Sequence, residues 1–163
     1  MRINQIIERK RCPIIIVPEH PQAGNLSLAN CEKFLVSGEY VQDAQLSNPY
    51  QRKIDMEVKL KSKRVLFEVN NNPALLTESE WKNVVAVFVQ GRRNEFQGWP
   101  FTKPEDVFRT ARGYLLRFPN KEDYLGNDLS IKTFTLDRNV RYRDSEVQRA
   151  IWNDLETFLY EKV

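Results

Sequence analysis

Short β-branched runs alternate with amphipathic stretches along this chain. Residues 14–17 (IIIV) form an unbroken apolar run between Pro13 and Pro18, the pattern of a strand buried on both faces. Leu28, Cys31, Phe34 and Leu35 then recur at helical spacing, with Asn25 or Ser27 as candidate caps and Gly38 as the stop. In IDMEVKL, Ile54, Met56, Val58 and Leu60 alternate with charges, which predicts a half-exposed or edge strand. The basic turn KSKR leads into a second strand, VLFEV, which NNNP ends. Thr77 and Glu80 have the spacing of a capping box, and Leu76 and Trp81 fall at the two positions of a hydrophobic staple. VVAVFV predicts a central strand. Pro104 opens a helix through Val107, Phe108 and Ala111, and GYLLRF and SIKTFTL supply two further strands. Ser145 is the expected cap of a long amphipathic helix carrying Val147, Ala150, Ile151, Leu155, Phe158 and Leu159 on one face.

Strands that alternate with helices imply a mostly parallel sheet covered on both faces, and the IDMEVKL–VLFEV hairpin adds one antiparallel edge. Six strands and about five helices in this order are the plan of a Ras-like (small GTPase-like) α/β domain. The length, 163 residues, suits a single domain with its own core. Residues 1–11 read as a basic lead, mobile or weakly helical, and 12–163 as one Ras-like domain expected to be monomeric in isolation. Cys12 and Cys31 are too few for a disulfide framework or a thiolate zinc site, which favours a reducing compartment. The longest apolar runs are strand-sized, so no membrane partner is expected. A net charge of +3 permits an acidic or phosphorylated partner but is modest for a nucleic-acid binder.

The first strand runs into the loop PEHPQAGNLSLAN, the place where many α/β proteins cradle a nucleotide's phosphates. A phosphate loop of the form G-x-x-x-x-G-K-[ST] needs glycines so that backbone N–H groups can close round the phosphates, a lysine to neutralise them and a hydroxyl for Mg²⁺. This loop offers Gly24 alone, no lysine, two prolines without N–H groups, and Glu19 nearby. The D-x-x-G element after the third strand is replaced by NNNPALL. One element points the other way. Asn120, Lys121 and Asp123 match the N-K-x-D that reads guanine in GTPases and follow the appropriate strand, although PNKEDYLGND is also an ordinary polar turn. No cofactor or metal is expected, and a guanine site at Asn120, Lys121 and Asp123 stands as the alternative.

His20 is the only histidine, so a histidine-based triad or a multi-histidine metal site is impossible. Cys31 lies on an apolar helical face and reads as packing. An enzyme is disfavoured. The basic residues carry more information: Lys63 and Arg64 in KLKSKR; Arg92 and Arg93 beside Phe96, Trp99 and Phe101; and Arg138, Arg141 and Arg143 in LDRNVRYRD. Arginine beside exposed aromatics suits phosphopeptides, through bidentate charge-assisted bonds and stacking. Solvated loop charge explains any one cluster as well, and Asp137 and Asp144 are available to pair with Arg141 and Arg143. Trp81 is a candidate for partner binding as well as for the staple.

Several segments together resemble the C-terminal domain of the parafibromin, or cell division control protein 73, family: PIIIVP, LANCEKFL, EWKNVVAVFVQG, EFQGWPF with PEDVFRTARGYLLRF, and LDRNVRYRDSEVQRAIWNDLE. They run in the family's order from about residue 11 to 160. The resemblance implies a Ras-like fold without a competent GTPase site, and a nuclear subunit of the RNA polymerase II-associated factor (Paf) complex. Its partners would be the other subunits of that complex, chromatin, and phosphorylated repeat tails of the polymerase or its elongation factors. Trp81 and the segment 141–152 fall on the family's own segments. Arg92, Arg93 and Trp99 rest on their chemistry.

Overall fold

A computed structural model describes residues 2–91, 95–101, 104–119 and 131–161. Arg92, Arg93 and the Asn120-Lys121-x-Asp123 match therefore lie outside the described residues.

The six strands are β1 (Ile14–Ile16), β2 (Lys53–Leu60), β3 (Lys63–Asn70), β4 (Val84–Phe88), β5 (Arg112–Arg117) and β6 (Ile131–Thr135), in the order β2-β3-β1-β4-β5-β6. Only β2 runs antiparallel to its neighbour; the β1–β3, β1–β4, β4–β5 and β5–β6 pairs are parallel. This is the Ras-like plan the element order predicted, with the β2–β3 hairpin at one edge. The helices are α1 (Arg2–Glu8), α2 (Cys31–Ser37), α3 (Glu78–Trp81), α4 (Pro104–Val107) and α5 (Asp144–Leu159).

The two-faced burial of β1 follows from its alternation. Ile15 and Val17 join the core beneath α1, α2 and α5, while Ile14 and Ile16 join Leu76, Trp81 and Val107 on the opposite face. In β4 the register slips by one residue between the partners of Ile14 and Ile15. That bulge lets adjacent Val85 and Ala86 both serve the first core, while Val84 and Val87 serve the second.

Of the two alternatives for the basic lead the helical one holds: Arg2–Glu8 is a helix, and its Ile3 and Ile6 are buried against the first core, since apolar residues three apart give a short polar segment a face worth burying. Three other local expectations need correction. Neither Asn25 nor Ser27 caps α2, because Asn25 is drawn into the loop network described below. The proline-started helix ends at Val107, before Phe108 and Ala111. Helix α5 begins one residue before Ser145, and its buried stripe runs through Ile151, Trp152, Leu155, Phe158 and Leu159 rather than Ala150. The Thr77–Glu80 capping box and the left-handed Gly38 stop are present.

Candidate functional site

In a parallel sheet of this type the loops at the carboxyl ends of the strands form the binding edge. Here the loop after β1 is closed by its own bonds. The Gln22 N–H donates to Asn25 Oδ1 (2.8 Å), Asn25 N–H to the Gln22 carbonyl (2.9 Å), Gly24 N–H to Gln42 Oε1 (3.1 Å) and Ser27 N–H to Asn30 Oδ1 (2.8 Å). Those four amides, which a phosphate loop would turn toward its ligand, are committed. Buried Asn25 also donates through Nδ2 to the Leu116 carbonyl (2.8 Å), and its own carbonyl accepts from the Tyr40 hydroxyl (2.9 Å). Burial pushes the Tyr40 hydroxyl up to about 12, so it stays a donor at neutral pH. Glu19 pairs with Arg52 at 3.1 Å.

The closure is tight enough to need glycine. Gly24 has φ of +87°, and a Cβ there would lie 2.3 Å from the backbone nitrogen of Phe118. Loop and β5 terminus are thus in backbone contact where the fold would otherwise open. What is left is a cleft of about 260 Å³ lined by Gln22, Asn25, Gln90, Arg117, Phe118 and Arg138, among others.

The structure separates the basic residues that the sequence offered as one class. Arg138 sits with its guanidinium carbon 4.1 Å from the Phe118 ring centroid and pairs with no carboxylate among the described residues. It also borders a second, open groove of about 530 Å³ with Asp137, Asn139 and Arg143. Arg143 is 3.7 Å from Asp137 with both side chains partly exposed, a pair that salt weakens. Arg141 serves the fold. Its Nη2 donates to the Tyr40 carbonyl and to Asp144 Oδ2 (2.9 Å), while the same carboxylate accepts from the Tyr40 N–H (3.1 Å). The hydrogen bond to Asp144 is the main reason the Arg141 guanidinium is held above its ordinary value, with burial opposing it.

Lys63 and Arg64 start β3, whereas Arg138 follows β6, and these strands run in the same direction. Seven residue steps of β3, roughly 23 Å, separate Lys63 from the carboxyl edge, and Arg64 lies 3.9 Å from Glu57. The two clusters do not share a groove. The aromatic loop also differs from the exposed platform expected of it. Trp99 stacks edge-on with Phe96 (4.9 Å) and tilts against Trp81 (5.5 Å), and all three rings cover the second core. Rings this large gain more from packing on one another than from standing in water.

Sequence reasoning missed one network. Asp154 of α5 accepts from the Tyr114 hydroxyl (2.5 Å) and from Lys132, with Arg112 at 3.5 Å. Its spacing from those partners along the chain carries no periodic signal; only the fold brings them together. Burial alone would raise the Asp154 carboxyl, but the hydrogen bonds from Lys132 and Tyr114 and the nearby cations hold it below its ordinary 3.8. Burial, the bond to Asp154 and its charge push the Tyr114 hydroxyl well up. A depressed carboxylate contributes stability at pH values above its unfolded-state value and loses it as pH falls through the folded one. The stability advantage of the wild type over Asp154→Asn is therefore expected to be constant from pH 7 to about 5 and to shrink below about pH 4. Urea denaturation across that range checks it; a pH-independent difference would contradict it.

Strand order, the parallel β1–β3 and β1–β4 pairs, and the loop packed onto β5 define a Ras-like domain whose phosphate-loop position is occupied by its own hydrogen bonds. The chain belongs to the family described as RNA polymerase II accessory factor, Cdc73 family, C-terminal, whose model matches residues 9–158. It is 27% identical over 157 residues to cell division control protein 73 of Saccharomyces cerevisiae, covering 94% of this chain and 40% of that protein. To the CDC73 homolog of Arabidopsis thaliana it is 29% identical over 158 residues, covering 90% and 38%. The chain thus spans about two fifths of the length of these relatives. The solved structure of the conserved domain of yeast Cdc73 superposes with a TM-score of 0.76 at 25% identity, covering 90% of this chain and 96% of that one.

Proposed function

We propose that this chain is a non-catalytic docking domain of a nuclear transcription elongation factor, a subunit of the Paf complex. In this reading it helps bring that complex to RNA polymerase II and transcribed chromatin by binding phosphorylated repeat tails of the polymerase or its elongation factors. The observation that carries the reading is Arg138. Its guanidinium is seated on Phe118, free of carboxylates among the described residues, at the junction of two clefts on the sheet's binding edge. A guanidinium seated over a ring presents its N–H fork to an incoming phosphate with less rotamer entropy left to lose than a free one. The committed amides of the β1 loop support docking over nucleotide binding, because they remove the donors a triphosphate needs. Arg92, Arg93, Lys121 and their neighbours enter only through the sequence.

Fluorescence anisotropy with labelled Ser/Pro repeat peptides tests this. The phosphorylated peptide is expected to bind at least about tenfold more tightly than the unphosphorylated one, a difference of about 1.4 kcal/mol. Arg138→Glu is expected to erase that preference while leaving the fold intact, and added salt to weaken the wild-type complex. Equal affinity for the two peptides in the wild type would overturn the reading.

A further inference from the structure

Strand β2 lies at one edge of the sheet and pairs with β3 alone among the described residues. The hairpin turn fixes which backbone groups face outward. Lys61 and Ser62 both have positive φ, +47° and +67°, so Leu60 and Lys63 close a two-residue type I′ turn as a bonded pair. Bonded and non-bonded pairs then alternate along the antiparallel ladder. The even-numbered residues of β2 therefore bond β3, and at the far end the Arg52 carbonyl keeps that phase by accepting from the Asn71 N–H at 3.0 Å. The N–H and C=O groups of exposed Asp55, Glu57 and Lys59 point away from the sheet and meet no partner among the described residues. The Lys53 carbonyl, which points the same way, is already taken by Gln51 Nε2 (3.1 Å).

The side chains beside this edge carry charge in an order the hairpin does not balance. Asp55 stands directly opposite Glu68, and Lys59 opposite Arg64: like charges at non-bonded positions, where side chains come closest. The diagonal pairs Lys53–Glu68 (3.8 Å) and Glu57–Arg64 (3.9 Å) are long, with Lys53 and Arg64 largely in solvent, and offset little. What results is an acidic stretch at Asp55 and Glu57 and a basic hairpin end at Lys59, Lys61, Lys63 and Arg64.

An open row of backbone donors and acceptors is met by an extended chain, because a helix has already used its own. Antiparallel addition continues the β2–β3 pattern and lets each facing residue exchange two bonds. In that direction the incoming strand starts at the basic hairpin end and finishes beside Asp55. We propose that the β2 edge takes up an extended segment of another protein as an antiparallel strand. The segment carries an acidic residue opposite Lys59 and basic residues two and four positions later, opposite Glu57 and Asp55. A second copy of β2 is a poor fit: paired over its full length it sets Lys53 against Lys59 and Asp55 against Glu57, like charges throughout. The site stands without the phosphate reading of Arg138, which follows β6 at the opposite edge of the sheet.

The test follows backbone amides in ¹⁵N-labelled protein. In the free protein the amide protons of Asp55, Glu57 and Lys59 are expected to exchange with D₂O at least about a hundredfold faster than those of Met56 and Val58. A blocked Thr-Glu-Thr-Lys-Thr-Lys-Thr peptide is expected to shift the three signals saturably and to slow their exchange. The charge-reversed Thr-Lys-Thr-Glu-Thr-Glu-Thr peptide is expected to bind about tenfold more weakly, since three cross-strand attractions become repulsions. Glu57→Pro deletes one outward N–H and no bond to β3, a change that edge positions tolerate, and is expected to lose peptide binding. Should that variant fail to fold, the surface triple Asp55→Lys, Glu57→Lys, Lys59→Glu decides, by reversing the preference between the two peptides. Absence of any shift at millimolar peptide would overturn the proposal. So would slow exchange of the three amides in the free protein, equal affinity for the two peptides, undiminished binding by folded Glu57→Pro, a preference that survives charge reversal, or self-association of the protein through β2.

Discussion

Asp144→Ala is expected to lower stability by about 3 kcal/mol, the scale for removing a buried, charge-assisted acceptor and orphaning its donors. Asp144 is 2% exposed at the start of α5, and its carboxylate ties that helix to the segment after α2 by accepting from the Tyr40 N–H and from Arg141. Without it the Tyr40 amide has no acceptor, and the Arg141 guanidinium keeps only the Tyr40 carbonyl and the faces of Tyr40 and Phe118. For a domain of this size the loss corresponds to a drop in melting temperature on the order of 10 °C. Asp144→Asn retains an oxygen for the Tyr40 N–H and is expected to cost less than half as much. Urea denaturation of the three proteins measures both. Equal costs for Ala and Asn would show that charge, not the Tyr40 bond, is what the helix start requires.

Gly24→Ala is expected to cost roughly 3 kcal/mol as well, by a different route. The left-handed backbone disfavours any Cβ by about 1–2 kcal/mol. The overlap with the Phe118 backbone adds about 1–3 kcal/mol, because neither chain segment can swing aside as a flexible side chain would. The strain falls on a loop that also carries Asn25, so the bond from Asn25 to the Leu116 carbonyl is expected to weaken with it. Since Phe118 is the seat of Arg138, the variant is also expected to bind the phosphorylated repeat peptide less well. Gly98→Ala is the control: it shares a positive φ of +88° but has nothing within 4 Å of the added carbon. Similar losses at both positions would mean that backbone conformation, rather than closure of loop on strand, dominates.

The strands were legible in the sequence because each carries its own periodicity: the unbroken IIIV of β1, the alternation of Ile54, Met56, Val58 and Leu60 in β2, the apolar run of β4. Their order then left few topologies. The failure of the phosphate loop was legible too, since a missing lysine and a missing glycine need no coordinates. What fills the loop was not. Asn25 looks like a helix cap in sequence, and only its contact with Leu116, 91 residues away, shows that it holds the loop down. The arginines illustrate the same limit. Arg138, Arg141 and Arg143 stand within six residues, yet one is seated on a ring, one is spent on Asp144 and Tyr40, and one is loosely paired with Asp137. Charge is a local property of sequence, whereas availability depends on neighbours that the fold supplies.

The β1 loop is closed by its own hydrogen bonds, and we propose that docking surfaces take the place of a nucleotide cradle in this Ras-like domain. Titrating ¹⁵N-labelled protein with GTP and Mg²⁺ to millimolar concentration, while following the backbone amides of Gln22, Gly24, Asn25 and Ser27, tests this most directly. The expected result is that all four signals stay where they are. A saturable, magnesium-dependent shift of the Gly24 and Asn25 amides would contradict it.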